Sequence, residues 1–391
     1  LLVAPAPAAS SVEDIFDGTF SPVEALERLR ARLLDLTRQN RLLHFRHPKG
    51  RSLQFVHVDI EATFRRLANG DNCGLLSVPE PHRTDYAHGP RPEAREWAKD
   101  HHKWDINVEL APSRGDLPTT QKSGRALHAV FYLPDLDRIT RAIARDAKTA
   151  VEETGVNVLH LIFGFLEFLE SDDSGKPFLA PLVTLPVTLI RQAVDPHSGF
   201  YRYDIAYTGD DYSENLTLRE KLLQDFHINL PAFDEDEGVE GYLDAVRTLI
   251  RTRPGWRVRR QMSLGLLSFA KLALWHDLNL EEWPAFGEHP VIKALFQGNT
   301  SELGEPLEEH DPQVHPSYAE LIFDADVSQN RAVIDVLNGR NLVIDGPPGT
   351  GKSQTITNII ASAMAAGKTV LFVSEKLAAL QVVHPVCANV T

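Results

Sequence analysis

The sequence predicts an α/β protein in two parts: a mixed α+β region with an antiparallel meander, then the opening of a parallel α/β unit. Two patterns carry this expectation. Residues 159–170, 179–191 and 200–207 are strand-like runs separated by the turn-forming stretches SDDSGKP and DPHSG, which predicts three consecutive antiparallel strands. Further on, NLVID (341–345), the glycine-rich GPPGTGKS (346–353) and a helical stretch to residue 366 follow one another in the order of a buried strand, a tight turn and a crossover helix.

Residues 1–20 read as a flexible leader, because LLVAPAPAAS has no basic n-region and is too short to span a bilayer. Ser21, Pro22 and Glu24 then make a helix start with a capping box. Leu26, Leu29, Leu33 and Leu36 form its apolar stripe, leaving Arg28 and Arg38 towards solvent. Between residues 21 and 51 seven Arg and one Lys stand against Glu24, Glu27 and Asp35. Phosphate contact and a solvated helix face are the two readings of that patch.

Residues 71–126, rich in Pro, Gly, His and charge, read as an irregular insertion. Helices are expected at 136–153 and 216–226, and another after the acidic loop DEDEGVE, ending near Arg253. RTRPGWRVRR (251–260) sets Trp256 among arginines, either as a base-stacking platform or as a strand residue pointing inward. The domain division read from these patterns is a leader to residue 20, an accessory α+β domain over 21–310, and a P-loop unit over 311–391.

GPPGTGKS fills every fixed position of G-x-x-x-x-G-K-[ST]. Gly346, Pro347, Pro348, Gly349, Thr350 and Gly351 would let the backbone approach phosphates closely, and the helix N-terminus adds partial positive charge. Lys352 supplies a full charge to the β- and γ-phosphates of ATP, Ser353 a hydroxyl ligand to Mg²⁺, and Gln354 stands in the same first turn. Upstream, Ser328 could cap a helix to Asn338, with Gln329 in its first turn as a candidate reader of an adenine edge. Downstream, a second strand is expected at 369–373, with Ser374 capping a helix over 375–383.

The run DADVSQNRAVIDVLNGRNLVIDGPPGTGKSQTITNIIA, followed by GKTVLFVSEKLAALQVV, resembles the start of a superfamily 1 helicase motor with a RecA-like P-loop NTPase domain. The resemblance implies adenine contact by Gln329, triphosphate and Mg²⁺ binding by Gly349 to Ser353, and a place near single-stranded nucleic acid for Ser374 and Lys376. Upstream, LERLRARLLDLTRQNRLLHFRH, GVNVLHLIFGFLEFLE and LGLLSFAKLALWHDL are similar to the N-terminal domain of unknown function in large bacterial helicase-like proteins. That group is associated with defence against foreign DNA.

A helicase motor also needs a Walker B acidic pair and a later Arg, so no catalytic residue is assigned within these 391 residues. After the loop only Glu375 is acidic, and the closing HPVCANVT departs from an amphipathic helix, with Pro385 expected to break it. Such an end fits a truncated or incomplete sequence. Two readings follow: the front of an ATP-driven nucleic-acid motor, or a nucleotide-binding or interaction module that does not turn over alone. An AAA-type machine is the weaker third, since it shares GPPGTGKS but not SEKLAAL.

Composition narrows the rest. A formal net charge of −14 excludes a generally basic nucleic-acid coat and leaves only local patches. Cys73 and Cys387, far apart, imply no disulfide framework and fit a reducing, cytoplasmic compartment. Cys73, His82, His88, His101 and His102 match no closed zinc spacing, so packed or surface histidines are expected.

Overall fold

The computed structural model describes residues 20–388 except 57, 88, 105–122, 171–175, 298–319 and 348. The chain forms two compact units. One holds Asp35–Val151 with Val156–Leu272; the other holds Leu1–Leu34, Glu152–Gly155 and Ala273–Thr391. The division thus falls near residue 272 rather than 310, and the first basic helix belongs to the unit that carries the glycine-rich loop.

The strands of the first unit are β1 (Ser52–Val56), β2 (Cys73–Leu76), β3 (Ala126–Ala129), β4 (Leu159–Phe168), β5 (Phe178–Val194), β6 (Tyr201–Tyr207), β7 (Ser213–Glu214) and β8 (Arg257–Leu266). Their pairing runs β4-β8-β1-β3-β2-β6-β5, and β5 pairs back onto β4, so seven strands close into a barrel. Closure removes the unpaired sheet edges. Every neighbour is antiparallel except β2 and β3. Long β5 makes closure possible: its first half pairs with β4, from Phe178 to Pro186, and its second half with β6, from Val187 to Val194. Short β7 adds to β5 at Val183 and Thr184.

Both faces of β4 are buried, which explains its near-continuous apolar sequence. Leu161, Phe163, Leu166 and Phe168 join the main core, while Ile162 and Phe165 lie beneath Leu42, Phe45 and Leu267. The alternation changes phase at Gly164, where a bulge shifts the register against β8. Gly164 has φ +77, and a Cβ there would stand 2.4 Å from Leu243 Cδ2. Only glycine fits that backbone and that contact.

Helices α2 (Ile60–Ala68), α3 (Ala94–Asp100), α4 (Leu133–Thr154), α5 (Leu216–Phe226) and α6 (Gly238–Ile250) accompany the barrel. Leu136, Ile139, Ile143 and Ala147 bury one stripe of α4, at helical spacing. Asn215 caps α5 by accepting from Leu218 N–H at 3.2 Å and donates to the carbonyl of Pro181 at 2.9 Å, tying that helix to β5. Residues 71–126 are therefore not merely an irregular insertion. They contain β2 and α3 and run into β3; their weak periodicity reflects four-residue strands, too short to show alternation.

Two expectations about basic residues change here, and one of the two readings of Trp256 is selected. The first helix, α1 (Pro22–Leu33), has the capping box at Ser21 and Glu24 but ends before Leu36 and Arg38. Arg38 is half-buried rather than free in solvent: it donates to the carbonyl of Lys176 at 2.7 Å and lies 4.5 Å over the Phe178 ring. Trp256 precedes β8 and packs against Phe168 and Phe226, with ring centroids 5.3 and 4.9 Å away, so it is core and not a stacking platform. Among the histidines, His101 stacks on Trp97 at 4.0 Å and His102 on Trp104 at 5.0 Å; His88 lies outside the described residues. Cys73 is buried, and its thiol is pushed up to about 12 by that burial. Among the described residues no group of three His, Cys, Asp or Glu could hold a metal ion, and no helix is long and apolar enough to cross a membrane.

In the second unit, α1 buries Ala25 and Leu26 with Phe296 of α8 (Pro290–Gln297), and α7 (Ala270–Asp277) begins where the units divide. Arg30 donates to the carbonyl of Trp275 at 3.1 Å and Arg28 lies 3.9 Å from the Phe20 centroid, so both are engaged locally. The remaining helices are α9 (Val327–Leu337), α10 (Lys352–Ala365) and α11 (Leu377–Ala388).

The two buried strands expected at 341–345 and 369–373 are absent as such. Neither segment has a ladder partner among the described residues, and Val343, Leu371 and Val373 are 99%, 87% and 76% exposed. A strand exists only through hydrogen bonds to a neighbouring strand, which these segments lack. Helix α11 also continues past Pro385 to Ala388, where a break was expected. A single proline removes one backbone bond, which the turns on either side tolerate here.

Candidate nucleotide-binding site

The loop is set by its glycines. Gly349 and Gly351 take φ of +89 and +78, a conformation that side chains resist, and Thr350 between them turns back to Pro347, its hydroxyl donating to the Pro347 carbonyl at 2.8 Å. Side chains at Gly346 and Gly351 would displace neighbouring side-chain ends. A Cβ on Gly346 would meet Thr350 Oγ1 at 2.7 Å, and one on Gly351 would meet Gln329 Nε2 at 2.6 Å. Pro348 lies outside the described residues.

Gly351 is the N-cap of α10 and offers no side-chain cap. The first intrahelical acceptor is reached at Thr355, whose N–H donates to the Gly351 carbonyl at 2.9 Å. The N–H groups of Lys352, Ser353 and Gln354 therefore point out of the helix end without an intrahelical partner, as an anion requires. All three side chains are exposed. The Lys352 ammonium donates to the Gly346 carbonyl, holding the cation over the loop. A closed loop without side-chain bulk, an uncapped helix start and a poised ammonium fit a triphosphate. The Ser353 hydroxyl, exposed on the first turn of α10, would be the group to ligate a Mg²⁺ bound to such a phosphate.

Helix α9 is capped by Asp326, two residues ahead of where Ser328 was expected to act. Asp326 accepts from Gln329 N–H at 2.8 Å while Gln329 Oε1 accepts from Asp326 N–H at 3.1 Å, a reciprocal box that Ser328 cannot make from inside the helix. The free end of the same amide, Gln329 Nε2, donates to the Thr350 carbonyl at 3.0 Å. Gln329 is thus brought to the loop. Ser374 and Lys376 are joined to each other, Lys376 N–H donating to Ser374 Oγ at 3.3 Å, in a turn before α11, which starts at Leu377 and not at 375.

Sequence reading missed Asn358 and Ser362. Asn358, fully buried on α10, accepts from the N–H groups of Ile322 and Phe323 at 3.0 Å each and donates to the Phe323 carbonyl at 3.0 Å. Ser362 donates to the Glu320 carbonyl at 2.7 Å. These side chains anchor the segment before α9 to the phosphate-loop helix. The available signal was polarity on the helix face opposite Met364, which is 39% exposed.

Residues 32–222 match the family described as "Protein of unknown function (DUF4011)". The chain is 54% identical over 64 residues to "Uncharacterized ATP-dependent helicase MG140" of Mycoplasma genitalium, covering 16% of this chain and 6% of that protein. It is 32% identical over 154 residues to the MG140 homolog of Mycoplasma pneumoniae, covering 33% of this chain and 14% of that protein. The chain therefore spans only a small part of the length of these curated relatives. No solved structure matches.

Proposed function

We propose that this chain is the N-terminal portion of an ATP-dependent, superfamily 1 helicase-like protein that binds ATP with Mg²⁺ through residues 346–354. The observation that carries the reading is the Gln329 bridge between the start of α9 and the loop at Thr350, beside the Lys352 ammonium. It brings the adenine-reading candidate to the phosphate-binding candidates, and the names of the two Mycoplasma relatives support the same activity. Ser374 and Lys376 are proposed to lie near the nucleic-acid strand, on the resemblance to helicase motors. A role in defence against foreign DNA rests on that resemblance as well.

A second reading, a nucleotide-binding module without turnover of its own, is favoured by the exposed, unpaired segments at 341–345 and 369–373. The test is binding of a labelled ATP analogue with Mg²⁺, followed by ATPase assay with and without single-stranded DNA, for this chain and for Lys352→Ala. Binding lost in Lys352→Ala supports the site, and absence of binding by the unaltered chain refutes it. Strand-stimulated turnover selects the motor reading, and binding without turnover selects the module.

A further inference from the structure

A second concave site lies on the outer face of the barrel, within the first unit. His44, His47, Gln54, Arg95, Arg259 and Gln261 line a cavity of about 300 Å³, with Glu167, Phe178 and Leu179 at its margin. The segment carrying His44 and His47 crosses the outside of the barrel: Phe45 N–H donates to the Leu179 carbonyl at 2.8 Å, and Leu179 N–H donates to His44 Nδ1 at 3.1 Å. Phe45 fills the space over Gly265, where a Cβ would be 2.4 Å from its ring.

The floor is polar and connected. The His47 ring meets Ser263 Oγ at 2.9 Å and Gln261 Nε2 at 3.1 Å, and Gln261 is 8% exposed. Arg257 and Arg259 both bind the buried Glu167 carboxylate. His47 is also one of three described non-glycine residues with a left-handed backbone, at φ +47. Such strain persists where surrounding structure imposes it, and it concentrates at binding sites.

The charge around this cavity is unbalanced. Glu167 is shared by two arginines, while Arg95 in the lining and Arg46, whose charge acts on His44, have no carboxylate within ion-pair distance among the described residues. Both are exposed. The crowding registers on the neighbours. Burial and then the Arg95 charge hold His47 down to about 4, and burial with the Arg38 and Arg46 charges lowers His44. A cluster of like charges at a concave polar surface, in a protein of net charge −14, lacks its counter-charge.

We propose that this outer barrel cavity binds the phosphodiester backbone of single-stranded nucleic acid, with Arg95 in the lining and Arg46 beside His44 at its margin gripping phosphates and the Gln54 amide facing the attached nucleoside. Arginine forks suit phosphate oxygens, and amides supply both donors and acceptors to a sugar or base edge. The lining is concave and mainly polar, which fits one nucleotide better than a flat lipid surface.

The test is fluorescence anisotropy of a labelled oligothymidylate with the whole chain, without ATP, over a range of salt concentrations. The Arg46→Ala/Arg95→Ala double variant should bind at least tenfold more weakly and lower the salt slope by about 1.4, the contribution of two phosphate contacts on a single strand. Both side chains are exposed, so folding is spared, and an unchanged thermal midpoint checks this. Arg138→Ala, an exposed arginine elsewhere on the unit, should leave binding unchanged. The double variant should keep its affinity for the ATP analogue, which keeps this result separate from that of the nucleotide site. Equal affinity and slope in the double variant would overturn the proposal. So would inorganic phosphate competing as well as the oligonucleotide binds, or binding only to phosphatidylglycerol vesicles.

Discussion

Gln329 reaches across to Thr350: its Nε2 donates to the Thr350 carbonyl at 3.0 Å while its Oε1 closes the cap of α9 on Asp326. One amide thereby couples a helix start to the phosphate-loop candidate. Gln329→Ala should lose both bonds, and ATP affinity should fall by roughly tenfold, equivalent to one net hydrogen bond of about 1.4 kcal/mol. Gln329→Glu keeps an acceptor for Asp326 N–H but no donor for Thr350, so it should resemble the alanine variant in ATP binding and the parent in helix stability. Titration with a fluorescent ATP analogue decides this; three equal affinities would show that the bridge is structural only.

Asn358 makes three hydrogen bonds to residues 322 and 323 from a fully buried position. Removing its amide leaves two N–H groups and a carbonyl without a partner, at a cost of about 2–4 kcal/mol. Asn358→Ala should therefore speed hydrogen exchange at the Ile322 and Phe323 amides more than at barrel amides. Uniform exchange in variant and parent would reject the anchoring role.

Gly164 supports the bulge that re-phases β4. Gly164→Ala forces a Cβ into Leu243 and into a left-handed backbone, so a loss of about 2–4 kcal/mol is expected. Urea denaturation of the variant and of Gly155→Ala gives the comparison. Gly155 also has positive φ (+74), but nothing lies within 4 Å of its added Cβ, so it should lose only about 1 kcal/mol.

His47 predicts an acid-sensitive barrel face. Its folded-state value is about 4 against an ordinary 6.5, because burial and Arg95 disfavour the imidazolium. The unfolded chain therefore binds the proton first as pH falls. The neutral-histidine contribution is fully present above 6.5 and is lost as pH drops from 6.5 towards 4, up to about 3 kcal/mol. His47→Gln should flatten the stability profile in that window, measured by denaturant midpoints across pH. An unchanged slope would show that His47 is not the titrating group.

Local signals were legible wherever backbone sterics and short-range hydrogen bonds decide. The Ser21–Glu24 box, the span of α5 at 216–226, the strand runs that became β4 to β6 and the glycines of the loop all follow from residues within a few positions of each other. Where a choice of cap existed, the reciprocal box at Asp326 and Gln329 won over Ser328, because it satisfies two donors instead of one.

What the sequence by itself determined is therefore the set of turns, caps and apolar runs, together with a glycine loop able to accept phosphate. Tertiary structure alone decided that β8 lies between β4 and β1, that β2 and β3 run parallel, and that seven strands close on themselves. It also turned Arg38 onto Phe178, packed Trp256 against Phe168, and gathered His47, Arg95 and Gln261 from distant segments into one cavity. The physical reason is that loop-closure cost rises only slowly with separation, so proximity in sequence barely constrains which distant surfaces meet. Complementary burial and pairing settle that choice, and they exist only once the chain has folded.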